Sequence, residues 1–356
     1  MYKLSHDEES TTTLFVNRET EQKLILDTLK KTIDGTDRNM IYITGFGGIG
    51  KTTLLKHILR IHGPDLEMEG ITVYYIDLED KIPTAQDLYN IAKNLIHMGA
   101  KVDTFLYFYA LYIRYMEGKE PTEIGKISDT IGNIIDEIVK HFVPGPIVEV
   151  AKAIGRAVSK AFGKEKRIIE WFKQQFGEDY EKRLSWIIRK EPKKLLAIMT
   201  RALAHDINTA IDQGQIKGIL LLIDTTEQIT KDDTEVIAEL FTKTKAILIV
   251  IAGREMEPSL IEHRLISKYK HKIIEHKLLS LPEKAARQYL EKRGIKKKEI
   301  QEIKFHINFQ FSKPVTVESS TITLIAEVIR EDTGESKLLP DLKVELPTNP
   351  TPETML

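Results

Sequence analysis

Five short apolar runs punctuate a chain otherwise patterned for helices. They are "MIYIT" (Met40–Thr44), "ITVYYIDL" from Ile71, "GILLLID" (Gly218–Asp224), "AILIVIAG" (Ala246–Gly253) and "KIIEHKL" from Lys272. "GILLLI" and "AILIVIA" have no polar interruption, the mark of strands covered on both faces of a parallel sheet, and they are too short to span a bilayer. Between the runs the period changes to that of helices. Leu24, Ile25, Leu29 and Ile33 share a face, and so do Leu54, Leu55, Ile58 and Leu59. "TAQDLYNIAKNLI" starts at Thr84, a suitable N-cap, with Asp87 near its first turn. "PEKAARQYLEKRGI" opens on Pro282 and stops near Gly294. Strand–helix alternation of this kind predicts an α/β fold with a mainly parallel five-stranded sheet, helices on both faces.

From about Gly99 to Asp212 the alternation lapses and no strand pattern appears. "FLYFYALYIRYM", "IIEWFKQQF", "EKRLSWII" and "KKLLAIMTRALAHDINTAI" are helical, and "IGNIIDEIVKHFVPGPIVEVAKAIGRAVSKAF" reads as two helices broken at Pro144-Gly145-Pro146. This is longer than a crossover between neighbouring strands needs. The expected organisation is a core from 1–99 and 200–280, a helical insertion at 100–199, a lid at 281–330 and a partly disordered tail at 331–356. "ESSTITLIAEVIRE" near the end fits either a helix or a strand, with Ser319, Ser320 and Thr321 leaning toward the strand.

Composition narrows the functional classes. With 356 residues, a net charge of -1 and no cysteine, the chain has no bulk attraction for nucleic acid or anionic membrane and no disulfide or thiolate chemistry. "MYKLSHDEES" has no apolar signal core, so secretion is not expected and a cytoplasmic location is. The aromatic run Phe105, Tyr107, Phe108, Tyr109, Tyr112 and Tyr115 has the spacing of core packing rather than of a base-stacking platform. The basic amphipathic stretch "IVEVAKAIGRAVSKAF" suits a partner helix better than a membrane, and "KRGIKKKE" reads as a solvated face. His57, His62 and His97 lack zinc-ligand spacing.

Candidate chemistry gathers where a strand gives way to glycines. "GFGGIGKT" fits G-x-x-x-x-G-K-[ST] through Gly45, Gly50, Lys51 and Thr52, between an apolar strand and a helix, which is the setting of a P-loop. Glycines allow positive φ and close approach to phosphate oxygens. The main-chain N–H groups of Gly45, Gly47, Gly48, Ile49, Gly50, Lys51, Thr52 and Thr53 can then converge on an anion, helped by the helix dipole. Lys51 can reach β- and γ-phosphates, and Thr52 can place its hydroxyl on Mg²⁺.

Two other strand ends supply charge. Asp224 closes "GILLLID" at the carboxyl edge, where ligands gather in open α/β sheets, and can hold Mg²⁺ through water; it can equally cap a following helix. Glu227 can orient or deprotonate a water, or simply be a first-turn acid. Arg254, after "ILIVIAG", can face the γ-phosphate and report its loss, or form a surface ion pair with a neighbour.

Together these segments resemble the STAND class of P-loop ATPases, relatives of AAA+ and archaeal ATPases. "LFVNRETEQ" resembles their F-V-G-R-E-x-E box, with Asn17 in place of the glycine, and "GFGGIGKTTL" their P-loop. "ALAHDINTAI" followed by "GILLLIDTTEQI" resembles their helix with an internal Asp before a strand ending D-T-x-E. "LIVIAGRE" resembles the sensor strand and "LLSLPEKAARQYLEKRGI" the start of the helical lid. The resemblance implies adenine held near Phe15, Val16 and Arg18, ATP or ADP as ligand with Mg²⁺, and a switch closed with ADP and open with ATP that oligomerises as a homo-oligomer and works with effector or sensor modules. It implies that Glu227 activates water, because Thr225 stands where AAA+ enzymes carry their Glu, and that hydrolysis is slow. Two alternatives are a DNA-associated ATPase of the origin-recognition kind, for which basic elements are lacking, and a scaffold that uses nucleotide without hydrolysing it.

Overall fold

The computed structural model describes residues 18–35, 39–80, 84–116, 165–179, 194–279 and 283–292, with positions 183, 186, 187, 190, 191 and 281. The chain divides into two compact units, Arg18–Leu279 on one hand and Met1–Asn17 with Ser280–Leu356 on the other. The first unit opens with α1 (Glu19–Ile33), β1 (Met40–Thr44) and α2 (Lys51–His57), which runs through a π-turn at Ile58–His62 into α3 (Gly63–Met68). The π-turn directly precedes Gly63-Pro64, where a proline inside a helix has no N–H for the carbonyl one turn back. There follow β2 (Ile71–Asp77), α4 (Thr84–His97), α5 (Asp103–Met116), α6 (Glu165–Phe176), α7 (Lys194–Asp212), β3 (Gly218–Asp224), α8 (Lys231–Lys243), β4 (Ile247–Gly253), α9 (Pro258–Ile261) and β5 (Ile273–Lys277). Of the second unit, Leu281 and α10 (Glu283–Lys292) are described.

The five apolar runs are the five strands, and they pair in the order β2-β3-β4-β1-β5. Every pairing is parallel. β1, β3 and β4 are buried at every position, which is why their sequences lack alternation. β2 and β5 form the edges and are only partly covered; β5 carries Glu275 and Lys277, charges that discourage further strand addition. The register sets Thr44 beside Gly253 and Asp77 beside Asp224. The carboxyl ends of the five strands thus finish at nearly one level.

Helix α7 is buried on most of its circumference because α5 lies on one side of it and α8 on another. Phe105, Phe108 and Tyr109 of α5 are buried in this core. The Phe108 ring lies 5.4 Å from that of Trp171 on α6, and Tyr109 stacks on Tyr89 of α4 at 4.9 Å. Their packing accounts for Phe105, Phe108 and Tyr109 of the aromatic run, while the Tyr115 side chain lies outside the described residues. Arg201 of α7 forms an ion pair with the fully buried Glu239 of α8. Thr230 and Asp233 make a capping box at the start of α8. Thr84, expected as an N-cap, is instead the first helical residue of α4, and its hydroxyl donates to Asp233 Oδ1 at 2.7 Å.

The internal Asp of "ALAHDINTAI" has a structural task. Asp206 Oδ2 accepts the Phe105 N–H at 2.8 Å, and the carboxyl also bonds Thr104, so α7 caps the first turn of α5 from outside. Burial nonetheless raises the Asp206 carboxyl to about 8, against about 3.9 in an unfolded chain. The folded state therefore holds this proton more tightly, and stability falls as pH rises from about 4 to about 8. Asp87 acts in the same direction, raised to about 7 by burial and then by the charges of Asp233 and Asp80. Asp206→Asn keeps an acceptor for Phe105 and removes the ionisation. Urea titrations at several pH values are expected to show a clearly shallower fall of stability in the variant, with the share of Asp87 remaining. Parallel pH curves for the two proteins would refute this assignment.

Candidate functional site

The glycine loop joins β1 to α2 at the carboxyl edge of the sheet. Gly45 has φ +154, and a Cβ there would come within 3.2 Å of Leu278 O and of the Ile49 side chain. Gly50, at φ +97, is the left-handed residue that turns the chain into α2. These two positions need glycine for different reasons, close approach and handedness. Ile49 is buried and anchors the loop to the core, while Phe46 is exposed. The Gly45 N–H donates to Arg254 O at 3.2 Å, tying the loop to the end of β4.

Lys51 curls back over this loop. Its ammonium donates to Gly45 O at 2.7 Å and to Phe46 O at 2.9 Å. Burial lowers its pKa, the carboxylates of Glu227 and Asp224 oppose that shift, and Arg254 adds to it. Lys51 thus lies within electrostatic reach of the three other charged residues expected at the site. The Thr52 hydroxyl bonds to Asp224, so the first turn of α2 meets the end of β3 through the pair expected to serve Mg²⁺.

Asp224 is almost fully buried, at 2% exposure. Burial pushes its carboxyl above the usual range; Thr52, the Thr225 N–H and Tyr75 resist the shift, and the charge of Asp77 adds to it. The Thr225 N–H donates to Asp224 Oδ1 at 2.9 Å. Tyr75 Oη lies 3.1 Å from Asp224 Oδ2 and 3.3 Å from Asp77 Oδ2. Burial, then these two carboxylates, drive the Tyr75 phenol far above its ordinary pKa, so it is a neutral donor. Lys56 of α2 sits over its ring, 5.7 Å from the centroid.

Past Asp224 the backbone turns sharply. Thr225 has φ 58, the one positive φ on a non-glycine residue among the described residues. A β-branched residue there is strained, and its hydroxyl is held by Asp77 Oδ1 at 3.0 Å. The turn sends Thr226 into the core, where its hydroxyl meets Tyr42 Oη at 3.0 Å and Ala252 O at 3.3 Å. It also brings Glu227 against β4: Glu227 Oε1 accepts the Arg254 N–H at 2.6 Å and lies 3.7 Å from Arg254 Nε. The Arg254 guanidinium is exposed.

Arg18, expected near adenine, has its guanidinium committed to main-chain carbonyls. Nη1 donates to Leu279 O at 2.9 Å and Nη2 to Ile49 O at 3.0 Å, with Glu21 Oε1 at 3.5 Å. Burial lowers its pKa against the charge of Glu21. Phe15 and Val16 lie outside the described residues.

Sequence reasoning passed over Tyr75 and Asp77. A signal was present: "YYID" and "LLID" end two neighbouring strands with the same dipeptide, and the parallel register sets those aspartates side by side. Thr226 and Tyr42 gave no such signal, since ordinary core residues can be threonine and tyrosine.

Among the described residues, no group of three or more His, Asp or Glu side chains is placed to hold a metal, and no helix is long and apolar enough to cross a membrane. A comparison with protein-family models finds no match, and a comparison with curated proteins finds none either.

Proposed function

We propose that this chain is a nucleotide-dependent switch that binds a nucleoside triphosphate with Mg²⁺ on a P-loop and hydrolyses it slowly. The observation that carries the reading is one convergence: a glycine loop, Lys51 folded over it, and Thr52 hydrogen-bonded to the buried Asp224. The donor set fits Mg²⁺, which Thr52 would hold through its hydroxyl and Asp224 through water beside the phosphates, an arrangement that needs no cage of several carboxylates. When bound, Mg²⁺ supplies charge neutralisation between the phosphates. Lys51 adds a mobile cation, the loop amides add fixed donors, and Asp224 is kept in place by Tyr75 and the Thr225 N–H. ATP as the nucleotide, and oligomerisation of the ATP state with an effector or sensor partner, rest on the resemblance to STAND ATPases.

Slow turnover follows from the position of Glu227. Glu227 Oε1 accepts the Arg254 N–H at 2.6 Å, which ties the carboxylate to the end of β4 and leaves chiefly Oε2 to orient a water. The same contact favours a second reading, a scaffold that holds nucleotide without hydrolysing it. Glu227→Gln separates the two. For the switch, single-turnover assays of the variant are expected to show hydrolysis slower by about 10²-fold, with Mg–ATP affinity nearly unchanged. Equal, negligible rates in both proteins would leave the scaffold.

A further inference from the structure

Resting on the reading of the glycine loop as a polyphosphate site, we propose that Arg18 is a positioning residue that couples this loop to the two points where the chain passes between its compact units. The chain leaves the unit Arg18–Leu279 at its first residue and at its last. Those crossings, 261 positions apart, are joined by one hydrogen bond, from Arg18 Nη1 to Leu279 O. The other arm of the same guanidinium holds Ile49 O inside the loop.

The grip on Ile49 has a specific consequence. Its C=O and the N–H of Gly50 belong to one rigid trans peptide and point in opposite directions. Arg18 therefore sets which way the Gly50 N–H faces, and this is one of the amides expected to cradle phosphate. Turning that amide toward a phosphate oxygen pulls on the guanidinium and, through its planar fork, on Leu279. The exit segment also meets the end of β1 and the start of the loop. The Leu278 N–H donates to Thr44 O at 2.7 Å, and Leu278 O faces the position where Gly45 has no side chain. Leu278 is buried and Leu279 exposed, so the segment is pinned up to the residue before the crossing. Glu21, which balances the charge of Arg18, is itself 3.5 Å from His276 Nε2 of β5. A lysine would keep the charge but not the fork, and a single ammonium cannot fix two carbonyls in one plane.

Coupling of this kind is reciprocal: whatever nucleotide does to the crossings, the crossings do to nucleotide affinity. The test is hydrogen exchange on the full chain with and without saturating Mg–ADP, for the native protein, Arg18→Lys and Glu21→Gln, with affinities from calorimetry. In the native protein Mg–ADP is expected to slow exchange in peptides covering 276–292 by at least about tenfold, along with the loop at 45–53. Arg18→Lys is expected to bind about tenfold more weakly and, once saturated, to keep the protection at 45–53 while losing that at 276–292. Glu21→Gln, which leaves the fork in place, is expected to keep both. Native-like protection of 276–292 in saturated Arg18→Lys overturns the coupling, and so does equal loss in both variants with a common fall in unfolding temperature. A native protein that binds Mg–ADP without any change at 276–292 overturns the coupling alone. A native protein that binds no Mg–ADP removes the polyphosphate reading, and the coupling with it.

Discussion

Lys51→Ala is expected to abolish measurable Mg–ATP binding in calorimetry while the chain stays folded. Lys51 now spends its charge on Gly45 O and Phe46 O, two neutral acceptors at the rim of the loop. Phosphate oxygens carry full negative charge and are stronger partners for an ammonium. Two charge-assisted bonds at about 1.5–3 kcal/mol each correspond to a loss of about 10²- to 10⁴-fold in affinity. The cost to the fold is small by comparison, because the loop remains held by the Ile49 side chain, by Arg18 and by the Gly45–Arg254 hydrogen bond. Unaltered Mg–ATP affinity in a folded Lys51→Ala protein would remove the proposed function. Asp224→Asn, read beside it, reports on the metal side of the site: it is expected to weaken binding in Mg²⁺ and to change little in the presence of a chelator.

Gly253→Ala is expected to be strongly destabilising. A Cβ at Gly253 would fall 2.1 Å from Thr226 Oγ1. That oxygen cannot step aside, because Thr226 is fully buried and bonded to Tyr42 Oη and Ala252 O. The overlap forces either a rotamer change that breaks those bonds or a shift of β4 itself. Overpacking of this kind costs about 1–3 kcal/mol, and an orphaned buried hydroxyl about 1–3 kcal/mol more. The double variant Gly253→Ala, Thr226→Ala removes the clashing oxygen. It is expected to be more stable than Gly253→Ala alone, a non-additivity that identifies the contact as the cause. Urea unfolding of the four proteins of the cycle measures it; simple additivity would contradict the account. Both Glu227 and Arg254 hang from this junction, so the single variant is expected to impair nucleotide turnover as well.

Much of the fold was legible from short segments. A strand buried on both faces can be made only of apolar residues, so "GILLLID" and "AILIVIAG" announced themselves. The edge strands were legible too, since "ITVYYID" and "KIIEHK" mix β-branched and polar residues as half-covered strands do. The glycine loop was visible because each of its demands is local: positive φ at Gly50, close approach at Gly45, and a lysine and threonine opening the next helix. Thr84 was misread as a cap for the opposite reason. Its partner, Asp233, lies 149 residues away, and nothing near Thr84 in sequence points to it.

The local sequence by itself thus determined the five strands, the glycine loop and the acids and arginine at the ends of β3 and β4, because those features follow from residue type and spacing within a few turns of chain. The tertiary structure decided the rest: the order β2-β3-β4-β1-β5, the pairing of Asp77 with Asp224 beneath one tyrosine proton, the docking of Glu227 on the Arg254 amide, and the reach of Arg18 from Ile49 to Leu279. Each of these depends on which strands become neighbours. Strand neighbours are chosen by the burial of whole faces, a property of the assembled sheet that no single segment carries.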